Sequence, residues 1–156
     1  MKRKHIIYDA ELWGGGWMEG CTLIEGHLMA KSDSDSPIKR AVYLSAPMDS
    51  GEKETVWGRM RLQWRMEGDT FLTVSCFASD ETVLRSSDQT LDLRAVLEDV
   101  QLPTAEKLCV FDELWTFTRK NASDLLLSQL KGRYLWFKLE LTYMNTKPPS
   151  VDGLQI

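Results

Sequence analysis

The stretch GRYLWFKLEL, from Gly132 to Leu141, decides the fold class because its side chains alternate in character. Apolar residues occupy every second position, at Leu135, Phe137, Leu139 and Leu141. This period of two predicts a strand with one face in a core. The other face carries Tyr134, Trp136, Lys138 and Glu140. Two large aromatics are unusual on a face exposed to water, so we expect either a helix of the chain or another molecule to cover it.

Three further segments alternate in the same way and extend the β-structure. The segment IKRAVYLSA begins at Ile38. In VWGRMRLQWRME, residues 56–67, one face holds Val56, Met60, Leu62, Trp64 and Met66. The opposite face holds Trp57, Arg59, Arg61, Gln63, Arg65 and Glu67. TFLTVSCFAS, residues 70–79, follows a Gly68-Asp69 turn and is predicted to pair with residues 56–67 in an antiparallel hairpin.

In residues 86–130 the apolar positions follow the helical period instead. A first helix is predicted to begin at Asp88, and a second to begin with Thr104 as its N-cap. Their apolar stripes are Leu93, Val96, Leu97 and Val100 on the first helix and Leu108, Phe111 and Trp115 on the second. A third helical turn is predicted for SDLLLSQL, residues 123–130, and a last strand for VDGLQI, residues 151–156.

Strands, then helices, then strands predict a mainly β fold: an antiparallel β-sandwich or jelly-roll-like domain with a helical insertion around residues 88–130. We expect one domain over residues 1–156, with residues 1–37 as an irregular N-terminal segment. The predicted core comprises Met60, Leu62, Trp64, Leu72, Val74, Cys76, Leu135, Phe137, Leu139 and Leu141. The last strand stops after few inward residues and would leave an open edge. Ile156 is therefore predicted not to be a natural domain end, and the chain to be a fragment or module of a larger protein.

The composition is that of an ordinary globular protein. The 156 residues are 43% hydrophobic and 27% charged, with a formal net charge of −4 that gives no global attraction to nucleic acid. The N-terminus lacks the apolar core of a signal peptide, and no run is long enough to span a membrane. We expect a protein made in the cytoplasm, without membrane insertion, whose three widely spaced cysteines are buried free thiols.

No set of residues has the spacing that catalysis or metal binding requires. The two histidines, His5 and His27, lie outside any metal-binding motif. The glycine-rich stretch LWGGGW, residues 12–17, lacks the lysine of a phosphate loop. Asp33 and Asp35 offer too few oxygens for calcium. We therefore expect no catalytic, cofactor-binding or metal-binding residues and no cofactor.

One row of side chains stands out as a candidate partner-binding surface. Trp57, Arg59, Arg61 and Arg65 share the outer face of one predicted strand in an otherwise acidic protein. Guanidinium groups in such a row can bind carboxylates of a partner in a bidentate manner. The alternatives are a solvated face or an internal match with acidic loops.

Two stretches resemble a family of phage tail proteins found in contractile phage tails and phage-tail-like injection particles. The first is NASDLLLSQLKGRYLWFKLELTYMNTKPPSVDGLQI, residues 121–156, and the second is YLSAPMDSGEKETVWGRMRLQW, residues 43–64. Together they cover 58 of the 156 residues, whereas LWGGGW has no counterpart. The resemblance implies a structural baseplate or tail-tip component, assembled into a virion or tail-like particle with other tail subunits as partners. It implies no catalytic residue, and it suggests that a neighbouring subunit covers Tyr134 and Trp136.

Two other function classes remain open at this point. A carbohydrate-binding sandwich domain would stack Trp13, Trp17 and Trp57 on sugar rings of a cell-surface glycan. An enzyme would have to assemble its site from residues far apart in the sequence. Of the three classes, we expect a non-enzymatic assembly module.

Overall fold

The computed structural model describes residues 6–31, 38–65, 70–144 and 149–156. The helices in these ranges are α1 (Ala10–Gly14), α2 (Leu93–Glu98) and α3 (Thr104–Phe111). The strands are β1 (Trp17–Glu19), β2 (Cys21–Ile24), β3 (His27–Ala30), β4 (Ile38–Leu44), β5 (Met48–Asp49), β6 (Arg59–Arg65), β7 (Thr70–Ser79), β8 (Val83–Arg85), β9 (Thr90–Asp92), β10 (Phe117–Lys120), β11 (Asp124–Leu126), β12 (Tyr134–Met144) and β13 (Ser150–Gln155). Strands make up 51% and helices 14% of the described residues, so the expected mainly β class is confirmed.

The strands form two antiparallel sheets packed face to face. Sheet I has the strand order β1-β4-β12-β7-β10, with β5 also paired to β12. Sheet II has the order β11-β6-β13-β3-β2. Apolar side chains from both sheets form one continuous cluster between them. This arrangement is the expected antiparallel β-sandwich.

Strand β12, which contains residues 134–141 of the GRYLWFKLEL stretch, lies in the middle of sheet I. It pairs with β4 on one side and with β7 on the other, so Leu139 lies between Tyr43 and Val74. Nine of the ten predicted core residues are buried, and Trp64 is half-buried. The inward face predicted for β6, β7 and β12 is therefore correct.

A second layer covers part of the outer face of sheet I. This helical layer, residues 83–115, consists of α2, α3 and the β8–β9 ribbon. It packs on sheet I through a separate apolar cluster that includes Leu93, Leu97, Phe111 and Trp136. None of the helices in the described ranges is long and apolar enough to span a membrane.

The helical segments are shorter than the sequence suggests. Helix α2 begins at Leu93 rather than Asp88, because Asp92 caps it by accepting a hydrogen bond from the Ala95 amide. The N-cap of α3 is Pro103, and Thr104 is its first helical residue. The predicted helical turn at residues 123–130 is wrong, since strand β11 occurs there and pairs with β6. Pairing with a neighbouring strand overrides the local helical pattern.

The predicted hairpin between residues 56–67 and 70–79 is also wrong. Strand β6 belongs to sheet II and β7 to sheet I, so the two strands face each other across the core. Alternation is the same in both arrangements, because each strand turns its apolar face inward either way. The predicted Gly68-Asp69 turn lies outside the described residues.

The N-terminal segment is more regular than expected. Residues 6–31 contribute α1 to the fold, and with it β1, β2 and β3. Gly16 leaves no room for a side chain because the Tyr43 ring lies against it. The Tyr43 hydroxyl donates a hydrogen bond to the Trp13 carbonyl at 2.8 Å. The glycine-rich stretch therefore allows close packing, while the loop with Asp33 and Asp35 lies outside the described residues.

At two corners of the sandwich an edge strand of one sheet leads directly into an edge strand of the other. Between β1 and β2, Gly20 has φ +70°, and an added Cβ would lie 2.6 Å from the Arg40 carbonyl oxygen. Between β10 and β11, Asn121 has φ +54°. Its side-chain oxygen accepts a hydrogen bond from the Leu72 amide, and its own amide donates to the Leu72 carbonyl. The edge strands of the two sheets are thus covalently linked on both sides of the sandwich.

The open edge predicted for the last strand is absent. Strand β13 pairs with β6 on one side and with β3 on the other. Beyond β3, the backbone of Ile156 exchanges two hydrogen bonds of 2.8 Å with Ile6. The argument from an unpaired strand therefore fails, because residues near the start of the chain complete the pairing.

Candidate functional site

The three predicted arginines do share one face. Arg59, Arg61 and Arg65 lie on the outer face of sheet II, and all three are exposed. Arg59 forms an ion pair with Asp124 at 3.1 Å, and Arg65 with Asp152 at 2.9 Å. Arg61 has no ion pair within the described residues. Two of the three arginines are therefore paired with carboxylates of the same chain. Arg61 is the one without such a partner among the described residues.

Asp152 organises one end of this row. Its carboxylate accepts hydrogen bonds of 2.9 Å from the Ser150 hydroxyl, a His27 ring nitrogen and the Arg65 guanidinium. Partial burial alone would raise the pKa of Asp152, but the hydrogen bonds from these three groups outweigh it and lower the pKa. The sequence patterns do not reveal this cluster because its members lie on β3, β6 and β13: Asp152 is 87 residues from Arg65 and 125 residues from His27.

Trp57 does not belong to the arginine row. It precedes β6, is buried, and donates a hydrogen bond from its indole nitrogen to the Gly132 carbonyl at 2.9 Å. Val56, predicted to point inward, is 60% exposed instead. Strand β6 begins only at Arg59, so its alternation does not apply to residues 56 and 57. Both residues were therefore predicted on the wrong face.

Tyr134 and Trp136 lie on the outer face of sheet I, opposite the arginine row. Trp136 is fully buried under the helical layer, where it stacks on Phe77 at 5.4 Å and contacts Phe111 at 6.3 Å between ring centroids. Tyr134 is half-buried beside it. The chain's own helices therefore cover Trp136, which corrects its prediction as a partner-binding residue.

The two stretches that carry the resemblance meet at one end of the sandwich. The Arg133 guanidinium forms a bidentate ion pair with Asp49, with contacts of 2.7 and 2.9 Å. Asp80 accepts hydrogen bonds from the amides of Glu54 and Arg133. A Cβ on Gly132 would lie 2.6 Å from the Ser79 backbone. We call this contact region, residues 49–57 with 79–81 and 131–134, the motif corner.

Large apolar side chains are exposed on both outer faces. Leu126 is 63% exposed and lies directly across from Arg59 in the β11–β6 ladder. On the opposite side of the molecule, Val100 is 89% exposed in the loop between α2 and α3. It follows Glu98 and Asp99, which are also exposed. The sequence patterns placed Leu126 and Val100 in helices, so neither was recognised as a surface residue.

The tryptophans named for sugar stacking do not form an exposed platform. Trp13 and Trp57 are buried in the core. Trp17 is half-buried, and the Lys107 ammonium lies 5.4 Å from its ring centre. An aromatic platform requires open ring faces. The carbohydrate-binding hypothesis therefore loses the residues on which it relied.

Burial acts on two of the three thiols. It raises the pKa of Cys76 to about 12 and, against weaker opposing contributions, that of Cys21 to about 12. Of the three thiols expected to be buried, only Cys76 is, since Cys21 is half-buried and Cys109 is exposed. Within the described ranges no group of three or more His, Cys, Asp or Glu side chains is placed to hold a metal ion.

No protein-family model matches the chain, and no curated protein matches it. Function must therefore be inferred from the fold and the two outer faces.

Proposed function

We propose that the protein is a non-enzymatic structural module that assembles into a phage tail or tail-like particle, at the baseplate. The observation that carries this proposal is the motif corner. The residues that resemble tail proteins come from two distant stretches, and they contact each other there.

The chemistry of the motif corner favours a structural role for these residues. The Asp49 carboxylate holds Arg133, and the Trp57 indole holds the Gly132 carbonyl. Gly132 allows the chain to pass close to Ser79. Each of these groups contacts the backbone or a neighbouring side chain of the same protein. A sequence pattern shared with tail proteins at these positions would therefore maintain the local backbone conformation.

The partner surface in this proposal is the face with the arginine row. Guanidinium groups and exposed apolar side chains are enriched at protein interfaces. Arg61 and Leu126 combine these properties on sheet II. The helical layer already occupies part of the outer face of sheet I, which leaves sheet II with the broader open face.

The proposal is tested by locating the protein in its own source cells. The chain carries an epitope tag before residue 6, and lysates are separated by sedimentation and viewed by negative-stain electron microscopy with gold-labelled antibody. We expect the label at one end of a tail-like particle. Recovery of the tagged protein only as a small species, in cells that do contain such particles, would contradict the proposal.

The link to the motif corner has its own test. Asp49→Ala removes the bidentate partner of Arg133 and should reduce incorporation into particles. Lys53→Ala in the same loop removes only an exposed ion pair with Glu81 and serves as the control. Equal incorporation of both variants would show that the motif corner is not needed for assembly.

A further inference from the structure

Charge is distributed unevenly between the two sides of the molecule. The helical layer, residues 83–115, contains seven carboxylate side chains and three basic ones, a net charge of −4. This equals the formal net charge of the whole chain. The arginine row lies on the opposite outer face. One side of the molecule is therefore acidic and the other carries a free guanidinium.

The acidic side has a protruding apolar residue next to its carboxylates. Val100 is 89% exposed, and the Asp99 carboxylate accepts a hydrogen bond from the Gln101 amide at 2.9 Å, which fixes the loop. Glu98 has no ion pair within the described residues. We call Glu98, Asp99 and Val100 the acidic loop.

The arginine side offers the matching groups at a similar spacing. Arg61 and Arg59 lie two residues apart on β6, about 6 to 7 Å, and Leu126 lies across from Arg59 on the adjacent strand. Leu126 is 63% exposed. We call Arg59, Arg61 and Leu126 the arginine face. A carboxylate and an apolar side chain two residues apart would reach Arg61 and Leu126 together.

We propose that the acidic loop of one copy docks on the arginine face of a second copy of this chain. Glu98 then pairs with Arg61, and Val100 packs on Leu126. The proposal rests on the proposed function, since self-association is one way for an assembly module to act. The loop cannot reach the arginine face of its own copy, because both sheets of the sandwich lie between them.

The geometry of this contact decides what it would build. The two surfaces are different and lie on opposite sides, so the contact is heterologous. Such contacts close into a ring when the rotation between copies allows it, and otherwise produce an open filament with one acidic loop and one arginine face free at its ends. Because charge contributes, association should weaken as salt increases.

Sedimentation velocity of the full chain tests the contact. At low ionic strength we expect the average sedimentation coefficient of the wild type to increase with concentration. Raising the salt from about 0.05 to about 0.5 M shortens the screening length and should lower the average sedimentation coefficient toward that of the monomer. Arg61→Glu, Glu98→Arg and Val100→Ser should each weaken association by about tenfold or more, because each replaces an attraction with repulsion or removes the apolar contact. Arg85→Glu, an exposed arginine outside both surfaces, makes the same charge change and should not weaken it.

Mixing two of these variants gives the sharper test. Arg61→Glu alone and Glu98→Arg alone each place like charges at the contact, so each should be less associated than the wild type. In an equimolar mixture every contact between the two variants pairs opposite charges, so association should be restored. Melting temperatures and near-ultraviolet circular dichroism would verify that both variants are folded. A monomeric wild type, an Arg61→Glu variant that associates normally, or a mixture that associates no more than the separate variants would overturn the contact.

The outcomes separate this inference from the proposed function. If the protein locates to particles but the purified wild type stays monomeric, the contact is wrong and the assembly role stands. If the wild type associates as described but no particle contains it, the contact stands and the particle assignment is wrong.

Discussion

The two outer faces of the sandwich differ although their strands alternate in the same way. On sheet I the outer residues of β12 and β7 include Trp136 and Phe77, and helices of the chain cover them. On sheet II the outer residues of β6 are Arg59, Arg61, Gln63 and Arg65, and they remain exposed. The period of two predicts a strand in both cases, and the composition of its second face predicts whether another layer follows.

This difference has an energetic basis. An aromatic ring left on a solvent-facing strand exposes a large apolar area, so a layer that covers it stabilises the fold by roughly 25 cal/mol for each Å² buried. An arginine gains little from burial and is costly to desolvate. The helical layer therefore belongs on sheet I. The predictions below test that contrast, beginning with the largest expected effect.

Trp136→Ala should reduce the free energy of unfolding by about 3 to 5 kcal/mol, because it removes a fully buried aromatic side chain between sheet I and the helical layer. The matched change on the exposed outer face of sheet II is Gln63→Ala, which should change the free energy of unfolding by less than about 0.5 kcal/mol. Chemical denaturation followed by far-ultraviolet circular dichroism measures both. Similar losses for the two variants would mean that the faces do not differ in coverage.

Asn121 lies at a corner that joins sheet I to sheet II, so its replacement should affect the whole fold. Asn121→Ala loses the hydrogen bond to the Leu72 amide and places a less suitable residue at φ +54°, for a combined loss of about 2 to 3 kcal/mol. Asn121→Gly loses the hydrogen bond but tolerates the backbone angle, and should be about 1 kcal/mol less damaging. Thermal denaturation of the two variants separates these contributions, and equal losses would show that the angle is unstrained.

The outer face of sheet II should show a pH dependence through Asp152. The folded pKa of Asp152 is lowered, so its contribution is fully present above its unfolded pKa of about 4 and decreases as the pH falls through the folded value. Asp152→Asn should cost about 1 to 2 kcal/mol at pH 7. The difference from the wild type should be present above about pH 4 and should shrink as the pH falls below it. Urea denaturation at several pH values tests this, and a gap that widens in acid would reverse the assigned sign.

Arg61→Ala should have the smallest effect on folding. The side chain is exposed and has no ion pair within the described residues, so the free energy of unfolding should change by less than about 0.5 kcal/mol. Arg65→Ala is the useful comparison, since it removes a donor to Asp152 and should cost somewhat more. Unfolding of Arg61→Ala at ordinary temperature would show that the residue serves the interior of the fold.

Much of the core was predictable because it depends on local parity. The alternate apolar residues of three strands point inward as their alternation indicates: Met60 and Leu62, then Leu72, Val74 and Cys76, and finally Leu135, Phe137, Leu139 and Leu141. The division into two sheets was not predictable in this way. Strands β6 and β7 alternate as the two strands of a hairpin would, and only the long-range partners β13 and β12 show that they separate.

The surface was predicted less well, for a related reason. The common face of Arg59, Arg61 and Arg65 follows from strand parity. The ion pairs of Arg59 with Asp124 and of Arg65 with Asp152 depend on strands that are adjacent only in the folded protein. Val100 fits a helical stripe, yet α2 ends at Glu98 and leaves it exposed. A periodic pattern does not specify where an element ends.

A double-mutant cycle between Phe111 and Trp136 tests most directly whether the chain's own helices cover sheet I. The rings lie 6.3 Å apart between centroids, one on α3 and the other on β12. If the helical layer packs on sheet I in the isolated chain, the losses in unfolding free energy for Phe111→Ala and Trp136→Ala should be non-additive, with a coupling of about 0.5 to 1.5 kcal/mol. Purely additive losses, with a coupling near zero, would contradict this packing and mean that another molecule covers Trp136.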